Sequence, residues 1–168
     1  MTEPAPTPTY EVVRDPRPEA IVVYCDDPRF QKAFEPFIER ELGLRREQFV
    51  PLVVGGGAGV LAHPERLPKE FKFMKDRFEL IHKYFPSIKR VVLINHEDCI
   101  YYRMLAEKIP GFLTDCASNL RNRPGEDMDL IERVFTRLLS HLGLRIELYY
   151  AKFAGGDHSK VAFDRVRV

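Results

Sequence analysis

An α/β fold, with a mainly parallel sheet flanked by helices on both faces, is predicted by three observations. Continuous apolar runs recur at Ala20–Cys25, Phe49–Val54, Val91–Asn95 and Ile146–Ala151, the pattern of strands buried on both sides. Segments with apolar residues at helical spacing lie between them. Strands alternating with helices favour crossover connections and hence parallel pairing. The 168 residues, 45% hydrophobic and 30% charged, suit one domain with its own core.

In order along the chain, residues 1–18 read as a tail, because Pro4, Pro6, Pro8, Pro16 and Pro18 withhold backbone donors. Residues 19–168 read as one α/β domain. After the first strand, Asp26-Asp27-Pro28 breaks the run, and Phe30, Phe34, Phe37, Ile38 and Leu42 predict a helix from Pro28 to Gly43. The second strand ends in Gly55-Gly56-Gly57-Ala58-Gly59, followed by a loop through His63-Pro64 to Pro68. Phe71, Met74, Phe78, Ile81 and Phe85 mark a long amphipathic helix stopped by Pro86. The third strand leads through His96 to Cys99 into a helix carrying Tyr102, Leu105 and Ile109. Ile131, Val134, Phe135, Leu138, Leu139 and Leu142 form the clearest helical stripe, closed by Gly143. Val161–Val168 is expected as a short final strand at an edge.

Composition excludes several classes. A formal charge of +1 and a pI near 7.7 give no basic excess for nucleic acid. No apolar run approaches the roughly 20 residues that span a bilayer. No secretory signal pattern opens the chain. Three cysteines are an odd and low count for a disulfide framework, so the expected setting is cytoplasmic and reducing, with Cys and His as metal ligands, reactive groups or buried small residues.

Ligands of open α/β sheets bind beyond the carboxyl ends of the strands. The segments there are Cys25-Asp26-Asp27-Pro28-Arg29, Gly55–Gly59 and His96-Glu97-Asp98-Cys99. If the first stays extended, Cys25, Asp27 and Arg29 share a face, and Arg29 can clamp Asp27 and keep it ionised. His96 and Cys99, three apart at a turn into a helix, also share a face. Two sulfurs and an imidazole supply three ligands of a tetrahedral zinc site with an open fourth position. Both spacings arise together by chance in about two chains in a thousand of this composition.

Cys25-Asp26-Asp27-Pro28-Arg29 followed by His96-Glu97-Asp98-Cys99 resembles the signature pair of the β-class carbonic anhydrases, over about residues 20–110. The resemblance implies that Cys25, His96 and Cys99 bind Zn2+, and that Asp27 and Arg29 are the catalytic dyad. Asp27 then accepts a hydrogen bond from zinc-bound water, or becomes a fourth ligand in a closed state. It further implies reversible hydration of carbon dioxide to bicarbonate through zinc-bound hydroxide, a small neutral substrate, and a homodimer or higher homo-oligomer. This chain departs from the family pattern at Ile100, where the family has Gly, and at Gly56-Gly57-Ala58-Gly59, where it has Arg-Asn-Ala-Gly.

Other readings of the same residues are a zinc hydrolase of carbon disulfide or carbonyl sulfide, and a non-catalytic zinc-binding structural or interaction module. Gly55–Gly59 is open to two readings, a phosphate cradle or a turn permitting close backbone approach. His63, His82, His141 and His158 are proton-shuttle candidates by residue type alone. Cys116 reads as a spare thiol.

Overall fold

Strands β1 (Ala20–Cys25), β2 (Phe49–Val54), β3 (Arg90–His96), β4 (Arg145–Ala154) and β5 (Lys160–Val166) form one sheet in the order β2-β1-β3-β4-β5. The first four pair in parallel, and β5 closes the far edge antiparallel to β4. The computed structural model describes residues 7–109, 111–112 and 120–166. Cys116 and the last two residues of the predicted final strand lie outside them.

β1 is buried along its whole length and β3 at all but its first residue, so their side chains alternate between two cores. On one face Ile21, Val23, Val91, Leu93 and Leu148 meet Met74, Phe78 and Ile81 of α2 (Pro68–Tyr84). Ile131, Phe135 and Leu139 of α5 (Met128–Leu139) complete that core. On the other face Ala20, Val22, Tyr24, Val92 and Ile94 meet Phe30, Phe34, Phe37 and Ile38. The expected layers are therefore present.

Local differences have physical causes. The helix expected from Pro28 begins instead at Gln31, as α1 (Gln31–Pro36), because residues 27–30 form a turn: the Arg29 N–H donates to Asp27 Oδ1 at 3.0 Å and the Phe30 N–H to the Asp27 carbonyl at 3.2 Å. It continues as a π-helical turn over Phe37–Glu41. Three short helices escaped the sequence reading, 3₁₀ turns at Arg46–Gln48 and Gly57–Leu61 and α4 (Arg123–Glu126). The tail residues 7–18 carry no helix or strand.

The glycine loop after β2 is wedged between the central strands. Gly57 has φ 53°, and a Cβ there would lie 2.8 Å from the Ile94 carbonyl oxygen and 3.0 Å from the Cys25 nitrogen. A Cβ on Gly56 would strike the Tyr101 ring, and one on Gly59 the Tyr102 hydroxyl. The loop's glycines thus serve close packing, and the Gly56 N–H is taken by Cys25 Sγ at 3.3 Å. Gly57→Ala combines a left-handed backbone with two backbone clashes and is expected to cost about 3 kcal/mol. The midpoint of denaturant unfolding measures this, and an unchanged midpoint contradicts it.

Candidate metal centre

The carboxyl ends of β1 and β3 sit side by side at the centre of the sheet, so Cys25 and His96, their last residues, arrive together without help from the loops. Cys99 follows at the N-cap of α3 (Ile100–Lys108). The intervening turn reverses through Asp98 at φ 54°, a left-handed conformation that Asp tolerates better than most residues. The Cys25 and Cys99 Sγ atoms are 3.8 Å apart and unbridged. The ligand atoms of Cys25, His96 and Cys99 all lie within 4.8 Å of one another, and all three residues are buried.

Two observations show that these donors fit a metal ion. His96 Nδ1 lies 2.9 Å from the Glu97 carbonyl oxygen, which accepts its N–H. That tautomer leaves Nε2 with a bare lone pair, buried and without a hydrogen-bond partner among the described residues, an arrangement that is costly unless something electrophilic meets it. Sulfurs held about 2.3 Å from a tetrahedral zinc are about 3.8 Å apart, which matches the separation found. Soft thiolate donors with an imidazole select zinc over hard cations. Phe30 covers the imidazole, with ring centroids 4.1 Å apart.

The thiols share a proton. The hydrogen bond from Cys99 pulls Cys25 down to about 4, against the opposing effect of burial, while the same bond and burial push Cys99 well up. With one thiol lowered and the other raised by the same contact, the pair is expected to hold one proton near neutral pH. Loading a divalent metal is expected to release about one proton per ion, and apparent affinity rises with pH as Cys99 ionises more readily. Zinc titration of weakly buffered protein measures the count. Release of two protons contradicts this electrostatic picture.

Asp27 does not join the three ligand atoms. Its carboxylate is buried and clamped by Arg29: Nε–H donates to Oδ1 at 3.1 Å and Nη2–H to Oδ2 at 2.7 Å. Burial pushes Asp27 up, but the Arg29 hydrogen bonds and charge together outweigh it and hold the carboxyl below its ordinary value. The guanidinium is pinned from its other side, by Nη1–H to Asp98 Oδ2 at 2.9 Å and Nη2–H to the Asp98 carbonyl at 2.6 Å. Gln31 fastens the loop through the Cys25 and Asp27 carbonyls at 2.9 and 3.0 Å. The five predicted residues are thus brought together, with Asp27 reached through a side-chain-capped turn rather than an extended segment.

Sequence reasoning missed the parts played by Phe30, Gln31 and Asp98, and left Tyr101-Tyr102 between a cleft lining, a dimer face and core. The Tyr101 ring lies on Gly55 and Gly56 and lines an apolar pocket of about 420 Å³ with Val54, Val60, Phe73 and Met74. Of the shuttle candidates, His63 is committed to an internal network and His141 pairs with Glu79 at 3.3 Å. His82 lies in the last turn of α2. His158 stacks on Phe153 at 4.9 Å, which in turn meets Phe30 at 5.1 Å.

No protein-family model matches the chain, and no curated protein matches it. Solved structures do. A carbonic anhydrase from Glaciozyma antarctica superposes with a TM-score of 0.50 at 14% identity, covering 90% of this chain and 84% of that one. A β-carbonic anhydrase, isoform I, from the protozoan Trichomonas vaginalis gives 0.51 at 18% identity, covering 93% and 87%. The chain has the fold of the β-carbonic anhydrases. Among the described residues, no helix is long and apolar enough to cross a membrane.

Proposed function

We propose that the chain is a zinc-dependent, β-carbonic-anhydrase-like lyase that interconverts carbon dioxide and bicarbonate, with Cys25, His96 and Cys99 holding the zinc and Asp27 and Arg29 as the catalytic pair. The observation that carries this reading is the buried His96 Nε2, without a hydrogen-bond partner among the described residues and within 4.8 Å of both sulfurs. Zinc held there would supply Lewis acidity that lowers the pKa of water. Two thiolates offset its charge, so activity is expected to favour alkaline pH.

The dyad's geometry supports a reacting water. Oδ1 of Asp27 accepts the Arg29 backbone N–H at 3.0 Å and Nε–H at 3.1 Å, and Oδ2 accepts Nη2–H at 2.7 Å and shares the Nε–H at 3.3 Å. Because one Nε–H is divided between the two oxygens, Oδ2 keeps acceptor capacity for the hydrogen of the attacking water, which it would aim at a small neutral carbon electrophile. Arg29, itself tied to Asp98, keeps the carboxylate ionised and turned from the ligand set. A non-catalytic metal module has no use for that arrangement.

A second copy of the chain is the partner this reading includes, and exposed Val53, Phe73, Ile100 and Met104 offer it apolar surface. A reducing cytoplasmic setting suits thiols that must stay unbridged. Stopped-flow carbon dioxide hydration at pH 8–9 on zinc-replete protein tests the proposal. The expected kcat/KM is at least about 10⁴ M⁻¹s⁻¹, lost on chelation. Protein that carries zinc but hydrates nothing contradicts it, and sulfide release from carbon disulfide or carbonyl sulfide would reassign the substrate.

A further inference from the structure

Behind the metal centre lies a buried polar network that the proposed chemistry does not use. The Asn95 Nδ2–H group donates to the Pro124 carbonyl at 2.8 Å and to the Tyr102 hydroxyl at 3.2 Å. The Tyr102 hydroxyl donates to Asp127 Oδ2 at 2.8 Å. Asp127 Oδ1 accepts Arg123 Nε–H at 2.9 Å, and His63 Nε2 lies 3.1 Å away. All five residues are buried, Asn95 and Tyr102 at 0% and 1% exposure.

The sequence positions explain what the network joins. Asn95 is the residue before His96 on β3, and its Oδ1 accepts the His96 N–H at 3.1 Å. Tyr102 stands one helical turn after Cys99, so its ring direction fixes the rotation of the first turn of α3. Asp127 and Arg123 anchor both from the α4–α5 junction. One end of the network therefore grips the His96 backbone and the other the helix that Cys99 caps. Burying a carboxylate, a guanidinium and a phenol is costly unless all are mutually satisfied, and an apolar cluster would fill the same space at less cost. Its added property is direction. Gly59 is part of the same design, since a Cβ there would displace the Tyr102 hydroxyl.

We propose that Asn95, Tyr102 and Asp127 are positioning residues that hold His96 and Cys99 at ligating separation, so that the centre is preformed before metal arrives. This rests on the metal reading above. Partners that orient ligands typically contribute about 10- to 100-fold in metal affinity.

The test uses the full chain with Co(II) as probe, its affinity measured by chelator competition and its geometry by the visible d–d and thiolate charge-transfer bands. Tyr102→Phe keeps the ring and removes only the hydroxyl. It is expected to bind Co(II) about 10- to 100-fold more weakly, with shifted d–d bands. Phe135→Leu, in the core between α2 and α5, provides a variant of lowered stability and is expected to keep the wild-type affinity and spectrum. Asn95→Ala is expected to repeat the Tyr102→Phe result. Tyr102→Phe matching wild type in affinity and spectrum overturns the proposal and leaves the metal reading standing. Equal weakening in Phe135→Leu also overturns it, since the effect would then follow stability alone. Wild-type protein that binds no Co(II) overturns the metal reading, and the positioning role with it.

Discussion

Cys99→Ser is expected to weaken zinc retention and carbon dioxide hydration together. A serine hydroxyl stays protonated at neutral pH, so the centre loses an anionic soft donor and keeps only Cys25 and His96. Four-ligand zinc sites bind with about 10–16 kcal/mol, on the order of 3 kcal/mol per ligand, so affinity should fall about a hundredfold or more. The buried side chain shrinks only slightly, and the fold is expected to survive. A loss of a hundredfold in affinity removes up to about 2.7 kcal/mol of ligand-linked stabilisation. Added zinc should therefore raise the melting temperature of the wild type more than that of the variant at the same concentration. Equal zinc content in both proteins would mean that Cys99 is not a ligand.

Asp27→Asn separates catalysis from metal binding. Both Asp27 oxygens are engaged by Arg29, and neither belongs to the mutually close ligand atoms. Zinc content should be unchanged. The amide loses the charge that draws a water hydrogen, and its NH2 group, if placed at Oδ2, faces the Arg29 donor. The kcat/KM is expected to fall about a hundredfold or more, as for loss of a proton acceptor. Because Asp27 is held below its ordinary pKa, the wild-type profile should show no acid limb from Asp27 until well below neutral pH. Metal loss in the variant would make Asp27 a ligand instead, and full activity would remove it from the mechanism.

Much of this was legible in the sequence for a specific reason. Strands buried on both faces leave continuous apolar runs, and β1, β2 and β3 were bounded within about a residue because Asp26, Gly55 and Glu97 interrupt them. The candidate ligand set followed from the rule that sites form beyond those strand ends. What stayed hidden depends on residues distant in sequence. His63, Tyr102 and Asp127 are each unremarkable alone, and only the fold makes them neighbours. The glycine loop was ambiguous because its use, passage of backbone between β1 and β3, depends on a strand 34 residues beyond Gly56. The late start of α1 reflects a competition at Asp27. Its side chain captures the Arg29 N–H, a local turn that defers the helix.

Crystals of protein purified under zinc-replete conditions, with anomalous scattering recorded at the zinc edge, test the central claim most directly. The account predicts one peak per chain, about 2.3 Å from the Cys25 and Cys99 sulfurs and about 2.0–2.1 Å from His96 Nε2, with Asp27 still paired to Arg29. No zinc peak between these residues, or a disulfide joining Cys25 to Cys99, would contradict it.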